Sequence, residues 1–323
     1  MTQRVDWMNR SLAYRLGMTG AERLSHLAAH VQQRVAQRPL EVIEGIAYTR
    51  TGHPAQRMDV LYPRAGKARR ASGVVYVHGG AFQYLSRNTH RHMASPFAID
   101  GHVVFNLDYR LAPVHPYPAC VQDVSAALRW IVKHSDRFGV DPRRLLIVGE
   151  SAGAWISIAM VLGQCVESDE PWAEALRQRT PPLAGCIAAC GVFDLAQPGW
   201  RTGSLANRPR TREIFQSMTT RFVDPWNFSV CSGGALASPM TTLEKQPSLS
   251  QPLPELFAFV GNRDPVQEDT TRLCRAYRRL GGEIEERRYP GENHAFHAVS
   301  LNASSRDAWR RQLQFARRRT EVE

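Results

Sequence analysis

The stretch LLIVGESAGAW, Leu145 to Trp155, sets a serine between two glycines where an apolar run gives way to a helical pattern. Gly149-Glu150-Ser151-Ala152-Gly153 fits Gly-x-Ser-x-Gly in the strand-turn-helix context that the motif requires. Such a turn pushes the serine hydroxyl out of a sheet edge, and small residues on either side let neighbouring backbones close in. The helix start below Ser151 adds free N–H groups and a positive dipole end, both suited to a developing oxyanion. The chemistry this allows is nucleophilic attack. An ordinary strand-to-helix turn capped by serine would show the same five letters, so the reading depends on partners elsewhere. A dinucleotide fingerprint is excluded, because Gly149 and Gly153 do not satisfy Gly-x-Gly-x-x-Gly.

A serine hydroxyl needs a histidine to take its proton and an acid to orient that histidine. Asp264 follows the apolar run LFAFVG, at the kind of strand end where loops of a sheet's carboxyl edge meet. His294 follows a short strand pattern and the Pro290-Gly291 turn. The order Ser151, Asp264, His294 is that of an α/β-hydrolase and differs from the orders on other serine hydrolase folds. Glu268 and Asp269, a turn into the next helical pattern, read as a solvated first-turn face favoured by the helix dipole. His297 is the rival to His294 but stands further from the turn. His26 and His30 lack the glutamate of a zinc protease between them, and His90 and His92 have no partner at ligand spacing, so these read as surface or packing residues. At the end of another strand pattern, VVYV, come His78-Gly79-Gly80-Ala81. Two adjacent glycines there imply a sharp turn or a close approach to the backbone.

These residues need a frame. Short apolar runs at 42–48, 58–62, 74–77, 103–107, 145–148, 186–190 and 256–260 alternate with helical patterns at 120–134, from Ser151 onward, and at 270–280, the last stopped by Gly281-Gly282. Strands that are apolar throughout and alternate with helices predict a mostly parallel sheet covered on both faces. A helical face through Leu24, Leu27, Ala28, Val31 and Val35, with Thr19 and Glu22 spaced as a capping box and Pro39 as the stop, precedes the first strand. Residues 194–248, rich in Pro, Arg, Trp and Phe, break the alternation and read as an insertion over one end of the sheet.

The chain of 323 residues, 43% hydrophobic, can bury one large core. Its formal net charge of +11 rests on 41 basic residues, of which only Lys67, Lys133 and Lys245 are lysines. The arginines are scattered, and no basic run interleaves with aromatics, which argues against a nucleic-acid partner. Six cysteines show no Cys-x-x-Cys and no zinc spacing, and most read as reduced core thiols. The N-terminal stretch has no apolar core of a secretion signal, and no run approaches the roughly 20 residues of a membrane span. A soluble, cytoplasmic protein is expected.

His78-Gly79-Gly80, Asp108 to Pro113 (DYRLAP) with His115 and Pro118, Val140 to Arg144 (VDPRR), GESAG, Ser238-Pro239, Asp264-Pro265 and His294-Ala295-Phe296 together resemble the hormone-sensitive-lipase-like carboxylesterases, bacterial family IV of the α/β-hydrolase fold. The resemblance spans roughly residues 55–300. It implies Ser151 as nucleophile, His294 as general acid and base, and Asp264 as the orienting carboxylate. It implies oxyanion donors among the amides of Gly79, Gly80, Ala81 and Ala152, with DYRLAP as a brace for that loop. It also implies a helical cap, so that residues 1–45 are expected as its N-terminal part, 194–248 as its insertion, and 46–193 with 249–323 as the catalytic domain. Phe82 and Tyr84 are the nearest candidates to touch substrate. The departures are Ala81 where Gly is usual, Glu150 where Asp is common, and Ala295 where Gly is frequent. The implied activity is hydrolysis of short- to medium-chain acyl esters, with no metal or organic cofactor and a small-molecule ester as partner. An edge-strand homodimer follows by analogy. Amide hydrolysis or deacetylation with the same residues is the alternative. A silent ligand receptor, as in the plant gibberellin receptors that resemble the same family, is opposed by the presence of His294.

Overall fold

Strands such as VVYV and VVFNL carry no polar face, so they are stable only where helices cover both sides. In the computed structural model, which describes residues 40–63, 70–195, 218, 221–222, 236–299 and 302–320, they lie inside one eight-stranded sheet. The strands are β1 (Leu40–Ala47), β2 (Arg57–Pro63), β3 (Ala71–Val77), β4 (Val103–Leu107), β5 (Val140–Glu150), β6 (Gly185–Ala189), β7 (Leu256–Gly261) and β8 (Ile284–Tyr289). Their spatial order is β1-β2-β4-β3-β5-β6-β7-β8. Only the pairings of β1 with β2 and of β2 with β4 are antiparallel; from β4 to β8 every neighbour is parallel.

The order fixes the layers. The chain steps from β3 to β4 in one direction through α1 (Arg87–Ile99), then crosses back past β3 to β5 through α2 (Ala119–Lys133) and α3 (Ser135–Phe138). Right-handed crossovers running in opposite directions put their helices on opposite faces. Helices α4 (Ala152–Cys165), α5 (Pro171–Arg179), α6 (Pro239–Glu244) and α7 (Gln267–Arg279) follow strands that continue the second direction. The short α8 (Phe296–Val299) leads to α9 (Ala303–Thr320), whose Trp309 meets Phe97 of α1 edge to face at 6.0 Å. All of α4 is buried, as a helix apolar on every side must be.

The sheet begins at Leu40, so the expected boundary at residue 45 falls inside β1 and is corrected. The helical pattern before Pro39, with His26 and His30, lies outside the described residues. Of 196–235 only Met218, Arg221 and Phe222 are described, all helical. No described helix is long and apolar enough to cross a membrane.

The reversal of strand order falls between β3 and β5, so their carboxyl ends flank a crevice at a topological switch point. Contact there is close enough to require glycine. A Cβ on Gly153 would lie 2.0 Å from the Val77 carbonyl oxygen, and one on Gly149 would lie 2.2 Å from the Gly153 oxygen. Gly153→Ala should therefore force α4 back from β3 at a cost of about 1–3 kcal/mol. A lower urea midpoint with an unchanged slope is the expected result; an unchanged midpoint would show that the helix can retreat freely.

Candidate active site

Ser151 sits between the end of β5 and the start of α4 with φ 55 and ψ −114, a conformation that costs a non-glycine residue roughly 1–3 kcal/mol. Two neighbours hold it there. Its N–H donates to the Ala189 carbonyl at the end of β6 (2.9 Å), and its carbonyl accepts from Ala154 (3.1 Å) and Trp155 (3.2 Å). The hydroxyl is left facing His294, with Oγ 3.0 Å from Nε2.

The loops after β7 and β8 deliver the other two residues as one unit. Arg263 N–H donates to the Glu292 carbonyl (2.9 Å), and Gly291 N–H donates to Asn262 Oδ1 (2.7 Å). A Cβ on Gly261 would lie 2.2 Å from the Glu292 oxygen, so the loops touch at backbone level. Asn262 was not singled out from the sequence, although it belongs to the same Asn-Arg-Asp-Pro stretch as Asp264. The Asp264 side chain is fully buried, accepts from Val266 N–H (3.0 Å), and accepts from His294 Nδ1 at 2.9 and 3.0 Å. The structure thus brings Ser151, His294 and Asp264 into one hydrogen-bonded line. His297 is buried outside it, and burial lowers its pKa to about 4.

Gly80 has φ 112, followed by Ala81 at φ 54 and Phe82 at φ 62. Three successive positive angles make a tight loop, closed by Gln83 and Tyr84 N–H donating to the Gly80 carbonyl at 3.0 and 2.9 Å. Among the described residues, no acceptor engages the N–H of Gly80, Ala81 or Ala152. Ala81 carries a Cβ in the left-handed region, where glycine would be unstrained. The DYRLAP segment braces this loop. Tyr109 stacks on His78 at 4.3 Å and donates its hydroxyl to the His78 carbonyl (2.9 Å), and Ala112 N–H donates to the Phe82 carbonyl (2.9 Å). Asp108 is pinned by the Arg87 guanidinium and backbone N–H.

Phe82 is fully buried, stacked on Phe222 at 3.7 Å and edge-on to Trp155 at 5.4 Å. Tyr84 is half-buried. The expectation for Asp269 is corrected. Instead of facing solvent it is buried and accepts the N–H groups of Phe193 (2.9 Å) and Asp194 (3.0 Å). Burial raises its pKa to about 7, with the Asp194 charge adding and those two N–H bonds opposing.

Glu150 has a larger role than its place in the motif suggested. Its side chain lies under the glycine loop, where a Cβ on Gly79 would be 2.4 Å from Oε2. His90 Nε2 lies 3.2 Å from the same oxygen, so His90 is neither surface nor mere packing. Burial alone would raise the Glu150 pKa, but the hydrogen bond and charge of His90, with the charge of His294, bring it down to about 2. For His294, burial pulls downward; the Asp264 charge and hydrogen bond, with the Glu150 charge, outweigh it and raise the pKa from 6.5 to about 9. The imidazole is therefore held between two carboxylates, one bonded and one nearby.

Comparison with known proteins adds a family. The family model described as alpha/beta hydrolase fold matches residues 74–298. The chain is 44% identical over 88 residues to carboxylesterase NlhH of Mycobacterium tuberculosis (strain CDC 1551 / Oshkosh), covering 27% of this chain and 28% of that one. The match thus spans little more than a quarter of that relative's length. An acetyl-hydrolase of Streptomyces hygroscopicus is 28% identical over 228 residues, 69% of this chain and 68% of the other. Among solved structures, a hyperthermophilic esterase from the archaeon Pyrobaculum calidifontis superposes with a TM-score of 0.76 at 22% identity, covering 96% of this chain and 97% of that one. That likeness speaks to the fold.

The electrostatics can be tested without any substrate. Glu150→Gln removes a negative charge that favours the imidazolium, so the His294 titration followed by NMR should move down from about 9. Asp264 and Cys190 also face this ring and stay unchanged in the variant. An unmoved titration would remove Glu150 from the account.

Proposed function

The chain belongs to the hormone-sensitive-lipase-like branch of the α/β-hydrolase family, and on that premise we propose that it is a serine carboxylesterase acting on short- to medium-chain acyl esters. The observation that carries this reading is the line from Ser151 Oγ through His294 to Asp264, at 3.0 and 2.9 Å, beside a loop whose Gly80 and Ala81 amides lack an acceptor among the described residues.

In this mechanism Ser151 attacks the ester carbonyl as its proton passes to His294 Nε2. Asp264 fixes the ring with Nδ1–H bonded and stabilises the imidazolium. The tetrahedral oxygen takes hydrogen bonds from the amides of Gly80, Ala81 and Ala152, each such donor typically supplying roughly 2.7–4 kcal/mol of barrier reduction. His294 returns the proton to the leaving alcohol, leaving an acyl-enzyme. Water then repeats the sequence and frees the acid. No step needs a metal or organic cofactor. The base form requires neutral His294, and a pKa raised to about 9 puts the rising limb of the pH-rate profile on the alkaline side.

The segment 194–248 serves as the cap in this reading, together with the chain before β1. Phe222, on its helical part, stacks on Phe82, and Tyr117 N–H donates to the Phe222 carbonyl (2.9 Å). Trp155 and Tyr117 close the same aromatic group. Bulk so close to the loop and to α4 supports a short acyl pocket. A second reading, removal of an acetyl group from an amine or a natural product, draws support from the acetyl-hydrolase relative and uses the same residues.

Ser151→Ala should lower ester turnover by roughly 10⁶-fold with the unfolding midpoint retained, and a fluorophosphonate should label wild type at Ser151 only. Unimpaired turnover by the variant would sink the mechanism. A panel of p-nitrophenyl esters of increasing chain length beside matched anilides separates the two readings. Highest kcat/KM on the shorter esters is expected, whereas anilide turnover with negligible ester turnover would favour amide chemistry.

A further inference from the structure

The relay uses His294 and Asp264 but leaves a thiol beside them without a role. Cys190 directly follows β6 at φ 41 and is 2% exposed, next to Ala189, whose carbonyl accepts the Ser151 N–H at 2.9 Å. Its other neighbour is Glu150. One ligand atom each from Glu150, Cys190 and His294 lies within 4.8 Å of the others, a grouping of His, Cys and carboxylate found among the described residues. We propose that Glu150, Cys190 and His294 form an inhibitory site for a divalent cation of the zinc class, which silences the protein by occupying the imidazole that must receive the Ser151 proton.

Three features of the site suit such an ion. The donors are a thiol sulfur, an imidazole nitrogen and a carboxylate oxygen, the set that zinc takes in tetrahedral sites. Asp264 already engages Nδ1 of His294, which leaves Nε2 as the coordinating atom and reproduces the carboxylate–histidine–metal arrangement that orients such ligands. Donors around tetrahedral zinc stand about 3.3–3.6 Å apart, so side-chain rotations of an ångström or so close the set. Glu150 and Cys190 are buried, whereas the His294 side chain is 34% exposed; that open side admits the hydrated ion and supplies a water as fourth ligand.

Charge favours occupation. Glu150 within 4.8 Å and Asp264 bonded to the His294 ring set two carboxylates around the position that a dication takes. Binding converts Cys–SH and M²⁺ to a metal thiolate with release of the thiol proton, and below about pH 9 the His294 imidazolium gives up a second proton so that Nε2 can coordinate; Ser151 then loses its hydrogen bond to Nε2. The ion is an inhibitor here and takes no part in turnover. The inhibitory consequence rests on the hydrolase reading; the coordination does not.

The full-length protein, reduced and titrated with Co²⁺, should bind one equivalent and develop the near-ultraviolet thiolate-to-cobalt charge-transfer band. Cys190→Ser and Cys190→Ala should lack the band, and Cys186→Ser, which alters a buried thiol elsewhere on β6, should keep it. In parallel, Zn²⁺ should inhibit p-nitrophenyl ester turnover by wild type reversibly, with a chelator restoring it. Loss of a direct ligand should weaken that inhibition in Cys190→Ser by at least the roughly 10- to 100-fold that an outer hydrogen-bond partner is worth. No band in wild type, a band that survives in both Cys190 variants, or equal zinc inhibition of all variants would overturn the proposal. A protein that turned over no ester would defeat the proposed function alone, because the cobalt band still decides the site.

Discussion

At Ser151 the backbone is held at a positive φ that an L-residue leaves unless its surroundings prevent it, and the rest of the site follows from how that is prevented. β5 ends one residue earlier, with the Ser151 N–H tied to the end of β6 and α4 beginning at Ala152. The helix can start there only because Gly153 has no Cβ to meet the Val77 carbonyl of β3. One close approach therefore joins the carboxyl ends of three adjacent strands. It sets Ser151 beside the loop that follows β3 and leaves the first N–H groups of α4 without partners inside the helix. The buried apolar body of α4 holds this in place, since fully burying side chains such as Ile156, Met160 and Leu162 yields about 1.5–3 kcal/mol each, of the order needed to offset a strained turn.

Electrostatics adds a second constraint on the same few residues. A carboxylate cannot be buried without partners, and Glu150 finds His90 on one side and the His294 ring on the other. Where Asp is common at this position, the longer side chain of Glu150 extends under Gly79. The loop glycine is thereby explained twice, once by the turn and once by the carboxylate packed against it. His90, from α1 on the far side of β3, becomes part of the support for the relay. His78 supports the loop differently: buried and stacked on Tyr109, its pKa is lowered to about 3, so it acts as a neutral packing and hydrogen-bonding group.

Much of this was legible in the sequence because local rules and global fold agree there. Gly-x-Ser-x-Gly after an apolar run, Asp264 just past a strand, and His294 after a turn each announce themselves within a few residues, and the chain order selects one fold. The parallel core strands were equally clear, since they are apolar throughout. β8 was less so: as an edge strand it reads IEERRY, with charged side chains that reach solvent and protect an exposed edge. Asp269 was misread because its position in a helix first turn predicts a solvated acid, whereas tertiary structure brings the backbone N–H groups of Phe193 and Asp194 over it. Proximity along the chain to the glycine loop likewise says nothing about which side of a positive-φ turn a side chain leaves; that of Phe82 leaves toward Trp155 and Phe222.

The meeting of Glu150, Cys190 and His294 was beyond sequence reading altogether, for a physical reason. Metal-ligand spacing is a sequence signal only when one helix or one hairpin supplies two ligands, whereas these three come from the ends of different strands, β5, β6 and β8, that the sheet order places on one edge. A parallel sheet gathers the carboxyl ends of its strands regardless of their separation in the chain. The property that assembles Ser151, Asp264 and His294 from remote segments therefore assembles other polar groups beside them. In such a fold, the side chains immediately adjoining a relay, such as the residue before the nucleophile and the cysteine that ends the next strand, have to be assessed with it, because the architecture that aligns the relay also determines their charge and reach.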